Sequence, residues 1–209
     1  MLRTIGLAAA ISLIATASNA AITSVSGPNS SAGAAAAKIA APGQVLNSTV
    51  FNTAQQGFDE QQGVLLGAAL GVDGGSIAAG TRVDSHMIFL NKQDNASGTL
   101  SHTGVQWTFS GTILGVMSDA GGTLEAASNA IVGLVATTYP GAFSNRGLEG
   151  NDSYSVAGNI LTANFLVTQP GDWIRVITAS EVPVPAALPL MAAGLAGLGG
   201  LARRRRKTV

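Results

Sequence analysis

Apolar and polar residues alternate along the middle of this chain. In 81–90, Val83, Met87 and Phe89 share one side with Ser85, while Asp84, His86, Ile88 and Leu90 share the other. Val105, Trp107 and Phe109 alternate with Gln106 and Thr108, and Leu161, Ala163, Phe165 and Val167 alternate with Thr162, Asn164 and Leu166. In 172–178, Ile174, Val176 and Thr178 fall on one side and Trp173, Arg175 and Ile177 on the other. A period of two over short stretches predicts half-buried strands. The apolar run 113–117 predicts another. Turn residues separate them at 73–75, 94–98, 119–122 and 147–153. Many short strands with Gly-rich turns predict a mainly β fold, a β-sandwich of jelly-roll-like form. Pro140 and Pro170 stand where they can end strands. One stretch departs from the pattern. Leu124, Ala127, Ile131 and Leu134 recur at helical spacing, which predicts a single short helix at the edge of the sheets. A strand over 131–136 is the competing reading.

The two ends carry apolarity of another kind. Arg3 precedes an apolar stretch from Ile5 to Ala17, and Ser18-Asn19-Ala20 places small residues at −3 and −1. This pattern predicts a signal peptide, 1–20, cleaved after Ala20; an uncleaved anchor is the alternative. At the other end, the 17 residues from Ala186 to Ala202 carry no charge. As a helix they would span about 25 Å, the short end of the transmembrane range. Arg203, Arg204, Arg205, Arg206 and Lys207 follow. Cations remain on the cytoplasmic side, so the domain ahead of them is expected on the far side of the membrane. Before the apolar run, Pro183 and Pro185 forbid helix and hold the chain extended.

Val182, Pro183, Val184, Pro185 and Ala186, followed by the apolar run and the basic cluster, resemble the PEP-CTERM class of bacterial sorting signals. The variant most like this one is VPLPA-CTERM, with Val184 where that variant usually has Leu. The resemblance covers 182–209: motif 182–186, transmembrane helix 186–202, basic tail 203–207. It implies recognition by an exosortase, cleavage near the motif, and release or transfer to the cell surface or extracellular polymer matrix. A permanent single-pass anchor is the alternative. The stretches 83–91, 113–117 and 172–178 also resemble a domain, without assigned activity, that recurs in exported proteins of this class.

Charge sharpens this division of the chain. The net charge is zero, yet all 11 acidic residues lie between Asp59 and Glu181. Within 21–181 only Lys38, Arg82, Lys92, Arg146 and Arg175 oppose them, a net charge of −6. An acidic exported part argues against nucleic-acid binding through a basic patch. The absence of cysteine excludes disulfides and thiolate metal sites. The Ala/Ser/Gly-rich lead-in 21–44 reads as an ordered lead-in strand or a flexible arm, with its composition favouring partial order at best, ahead of a sandwich domain over 45–181.

Candidate chemistry is sparse. Asp84 and His86 share a strand face and could begin a metal site or a Ser–His–Asp set; a structural hydrogen-bonded pair is the plainer expectation. His102 follows the 91–98 turn. No Gly-x-Ser-x-Gly or His-Glu-x-x-His motif occurs. The carboxylates open to glycosidase work are Asp59, Glu60, Glu125, Glu149 and Asp152, with polar turns the expected role. Adjacent Asp59 and Glu60 would point to opposite faces of a strand. No catalytic residue, cofactor or metal ligand is assigned. Calcium is the metal best suited to the oxygen-rich loops at 149–153 and at Asp94 and Asn95. Position 151, as the centre of an aspartate-type calcium loop, is a weak candidate and is not claimed as a ligand. Trp173 and Tyr154 are the plausible exposed stackers of a carbohydrate-binding module, and Trp107 is expected in the core. The expected function is that of a non-enzymatic surface or matrix protein. A carbohydrate-binding module or a secreted hydrolase is the alternative.

Overall fold

A computed structural model describes residues 20–92, 98–168 and 170–180. Residues 1–19, the sorting motif, the apolar run 186–202 and the basic tail lie outside the described residues. Among those described, no helix is long and apolar enough to cross a membrane.

The strands in chain order are β1 (Ile22–Ser26), β2 (Ala37–Lys38), β3 (Gln56–Asp59), β4 (Val64–Leu65), β5 (Leu70–Val72) and β6 (Gly75–Ile77). They continue with β7 (Arg82–Leu90), β8 (Leu100–Phe109) and β9 (Ile113–Met117), then helix α1 (Thr123–Val132), β10 (Ser153–Ala157), β11 (Ile160–Val167) and β12 (Asp172–Ala179). Among the described residues the fold is mainly β with one helix. A four-stranded sheet has the order β1-β8-β11-β10. A six-stranded sheet has the order β2-β3-β7-β12-β9, with β4 also on β7. The hairpin β5-β6 turns through Asp73-Gly74, where Gly74 takes φ 72°, a conformation that costs glycine nothing.

The alternating residues build the space between the two large sheets. Val105, Trp107 and Phe109 from β8 and Leu161, Ala163, Phe165 and Val167 from β11 meet Ile88 and Leu90 of β7 and Ile174 and Val176 of β12. Trp107 lies in this core as expected, and its Nε1–H donates to Gln55 Oε1 at 2.9 Å. Gly57 leaves room for its ring, because a Cβ there would stand 2.7 Å from Trp107 Cζ3.

Two expectations are corrected. Strands β7 and β12 are buried on both faces, not one. Their second face is covered by α1, the β5-β6 hairpin and the loops that carry Val45, Tyr139 and Phe143, so Val83, Met87, Phe89, Trp173 and Ile177 are also core. The lead-in also takes up defined structure. It supplies β1 at the edge of the four-stranded sheet and β2, which runs parallel to β3. Ser30 is buried, and its hydroxyl donates to Thr53 O at 2.5 Å.

The helix forms where expected, and residues 133–136 form no strand. Its inward face is displaced by one residue. Glu125, Ser128 and Val132 are buried, whereas Ala127 and Ile131 are exposed, Ile131 by 44%. Its N-terminal amides are capped from outside the helix: Asp119 Oδ2 accepts Thr123 N at 2.8 Å and Thr123 Oγ1 at 2.5 Å, and Oδ1 accepts Leu124 N at 3.0 Å.

Candidate functional site

The sorting residues Val182 to Ala186 and Arg203 to Lys207 lie outside the described residues, as do Asp94 and Asn95. Ala20 is described. It is fully buried, and its backbone N–H donates to Asp84 Oδ2 at 2.6 Å. The neighbouring Ala21 N–H donates to Ser110 Oγ at 2.9 Å.

Asp84 and His86 stand on one strand face, as their spacing requires, but they do not pair. Asp84 accepts from Ala20 and from Gly63 N, which makes it a loop cap. His86 Nδ1–H donates to Asp59 Oδ1 at 2.8 Å, and its Nε2 lies 3.1 Å from Thr178 Oγ1. The order carboxylate, imidazole, hydroxyl is that of a nucleophile relay. However, His86 and Thr178 are both fully buried between the sheets, and no substrate carbonyl could approach that hydroxyl. Asp59 also holds Lys38 Nζ at 2.6 Å and accepts Ile22 N at 2.9 Å. Burial raises its pKa, but the hydrogen bonds from His86, Lys38 and Ile22 outweigh burial and hold the carboxyl at about 2. His102 Nδ1 accepts Gln55 N at 2.9 Å, so its Nε2–H donates to Pro28 O at 2.9 Å. Both histidines thus tie distant segments together.

Glu60 points away from Asp59, as adjacent strand residues must, and enters the layer beneath α1. There Arg175, fully buried, donates from Nε and Nη2 to Glu60 at 2.7 and 2.8 Å. It also reaches Ser128 Oγ, Glu125 O and Asn129 Oδ1 on the helix, and lies 5.2 Å over the Tyr139 ring. Arg146, also buried, donates to Glu125 Oε1 at 2.6 Å. Burial is the largest influence on Glu125; it overcomes the two guanidinium groups and lifts the carboxyl to about 7. Glu60 and Glu125 are therefore partners of buried arginines, not the exposed turn carboxylates expected from sequence. The polar inner face of α1 exists to meet them.

Trp173 is also relocated. It is fully buried, edge-on to Phe143 at 6.0 Å. Tyr154 is half-buried, and its hydroxyl donates to Asp73 Oδ2 at 3.0 Å. The two aromatics form no shared surface platform.

A third carboxylate group was not legible as a unit. One side-chain oxygen each from Glu149, Asp152 and Asp172 lies within 4.8 Å of the others. The first two come from the turn before β10, and Asp172 opens β12. Asp172 is 1% exposed. Its Oδ2 has no hydrogen-bond partner, nor has Glu149 Oε2. Asp152 Oδ1 accepts Leu166 N at 2.5 Å. Burial, then the charges of Asp152 and Glu149, push Asp172 up to about 9. The aspartate-type reading of position 151 is corrected here. The residue is an asparagine, Asn151, whose side chain is an uncharged amide. It is exposed at the turn and brings no carboxylate to the group; Asp172, from another element, is the third acid. Glu149, Asn151 and Asp152 help to line a surface cavity of about 260 Å³ together with Thr99, Leu166 and Thr168. In the sequence, Glu149 and Asp152 stand out as loop oxygens, while Asp172 reads as the first residue of an alternating strand.

Comparison with family models, curated proteins and solved structures finds no match to this chain.

Proposed function

We propose that this chain is an exported surface or extracellular-matrix protein, processed by an exosortase and without catalytic activity of its own. The observation that carries this reading is the order of its C-terminal features: a Pro-Val-Pro neck, an uncharged apolar run, then five cations. The neck begins four residues after the end of β12. A processing enzyme in the membrane would meet an extended peptide flanked by a folded domain on one side and a helix on the other. The protein would face the periplasm while held by its tail, and then reach the cell surface or the polymer matrix. A jelly-roll-like description of the domain draws support from the chain's repeated passage between the two large sheets from β7 to β12. The non-catalytic reading is supported by the internal engagement of His86, Asp84, Glu60 and Glu125 described above. The carbohydrate-binding alternative loses its proposed Trp173–Tyr154 platform, which leaves polysaccharide as a partner by location rather than by a recognisable subsite.

Intact-mass measurement of the secreted protein, from hosts with and without the exosortase, tests this reading at both ends. The expected product lacks Arg203 to Lys207 only where the enzyme is present. An intact basic cluster on secreted protein refutes processing. The same spectrum reads the N-terminus. A start at Ala21 agrees with cleavage after Ala20, and a start upstream keeps the buried Ala20 and its bond to Asp84.

A further inference from the structure

We infer that Glu149, Asp152 and Asp172 form a calcium site that pins the turn before β10 to the first residue of β12. The inference is independent of how the tail is processed. An acidic cluster alone would not support it. The deciding feature is Asp172, which is 1% exposed with its Oδ2 unpaired and no side-chain hydrogen bond of its own among those described. A buried carboxylate without a partner is costly, and here two further carboxylates face it within 4.8 Å. A bound cation satisfies all three. The unpaired Glu149 Oε2 supplies a second ready ligand.

The chemistry selects the ion. The ligands are all oxygen, which suits a hard cation rather than zinc, with its preference for imidazole and thiolate. Calcium takes about six to eight oxygen ligands at about 2.3–2.6 Å in flexible geometry, whereas magnesium demands a near-ideal octahedron at about 2.0–2.1 Å and keeps several waters. Calcium also accepts an irregular shell, completed here by water from the adjoining cavity. Asp152 is held beside the group by the hydrogen bond that its Oδ1 accepts from Leu166 N. The site has an entry path, since Glu149 and Asp152 border the 260 Å³ cavity at the surface while Asp172 is buried.

The test uses the full chain in detergent, stripped with EDTA and then titrated with calcium or magnesium chloride. Bound metal is counted by mass spectrometry, and unfolding is followed by circular dichroism. The expected result is one calcium per chain, with Tm raised by about 3–6 °C at tenfold excess over Kd. Asp172→Asn removes both the binding and the rise. In EDTA it melts close to the wild-type temperature, since an uncharged amide then stands where the metal-free chain buries an unpartnered acid. Glu149→Gln, at the accessible side of the cluster, guards against a folding defect and is expected to weaken binding at least tenfold. Absence of calcium from the wild-type chain at millimolar concentration overturns the inference, as does an undiminished calcium response in both variants. An equal response to magnesium refutes calcium as the ion.

Discussion

Arg175 lies beneath α1 without access to water, and Glu60 meets its charge through two hydrogen bonds. Breaking a buried pair from one side leaves a lone charge and costs about 3–5 kcal/mol. Glu60→Gln is therefore expected to lower unfolding stability by that amount in urea titration. Glu125→Gln should cost clearly less near neutral pH, because burial already holds Glu125 at about 7 and amide and protonated acid are alike. The two carboxylates Asp59 and Glu125 also act on opposite limbs of the pH profile. Asp59 falls from 3.8 in the unfolded chain to about 2. Its contribution is complete above the first value and lost as pH falls through the second. Glu125 rises from 4.5 to about 7, so its contribution is complete below 4.5 and lost as pH rises through 7. Relative to wild type, Asp59→Asn should flatten the acid limb of the urea midpoint and Glu125→Gln the neutral limb. A wild-type profile retained in either variant would remove that residue from the account.

At the scale of elements, α1 depends on a carboxylate outside itself. Asp119 accepts three hydrogen bonds from the first helical turn. Burial opposes its ionisation, but the bonds from Thr123 and Leu124 prevail and hold its pKa below the usual value. Asp119→Ala is expected to cost about 1 kcal/mol and to speed amide exchange at Thr123 and Leu124 while leaving β12 protected. Strands β8 and β11 were legible because their apolar residues alternate against one core, β9 because its apolar residues run together, and β7 and β12 because some period survives although both of their faces are covered. The helix was legible in extent but not in phase. Its apolar stripe at Leu124, Ala127 and Ile131 suggests one face, whereas Glu125, Ser128 and Asn129 are turned inward by Arg175 and Arg146, about 20 to 50 residues away in the chain. Trp173 misled for the same reason. A strand covered on both faces has no exposed side, and the cover comes from α1 and distant loops. The short strands β2 to β6 carry too few residues for a period to show. Asp172 could not be read as a cation ligand, because its two companions come from another turn. Within that turn, Asn151 marks an oxygen-rich loop by composition but stands apart from the carboxylates that converge.

At the scale of the molecule, the six-stranded sheet is closed by its last strand. β12 lies between β7 and β9. Ending the chain at Gly171 should therefore abolish the dispersed amide spectrum of a folded domain, while ending it at Glu181 should preserve it. An unfolded spectrum for the longer fragment would mean that the tail contributes to the fold. Central placement of the final strand also sets the time of folding. β7 and β12 pair across about 90 residues, as in Thr178 with Asp84, and such distant pairings close slowly. A chain threaded outward from its N-terminus would hold β7 and β9 without their shared neighbour until residue 179 had crossed. From Ala179 to Ala186 is seven residues, at most about 25 Å fully extended. In a chain retained by its apolar run, the sheet would thus complete itself within a few nanometres of the bilayer.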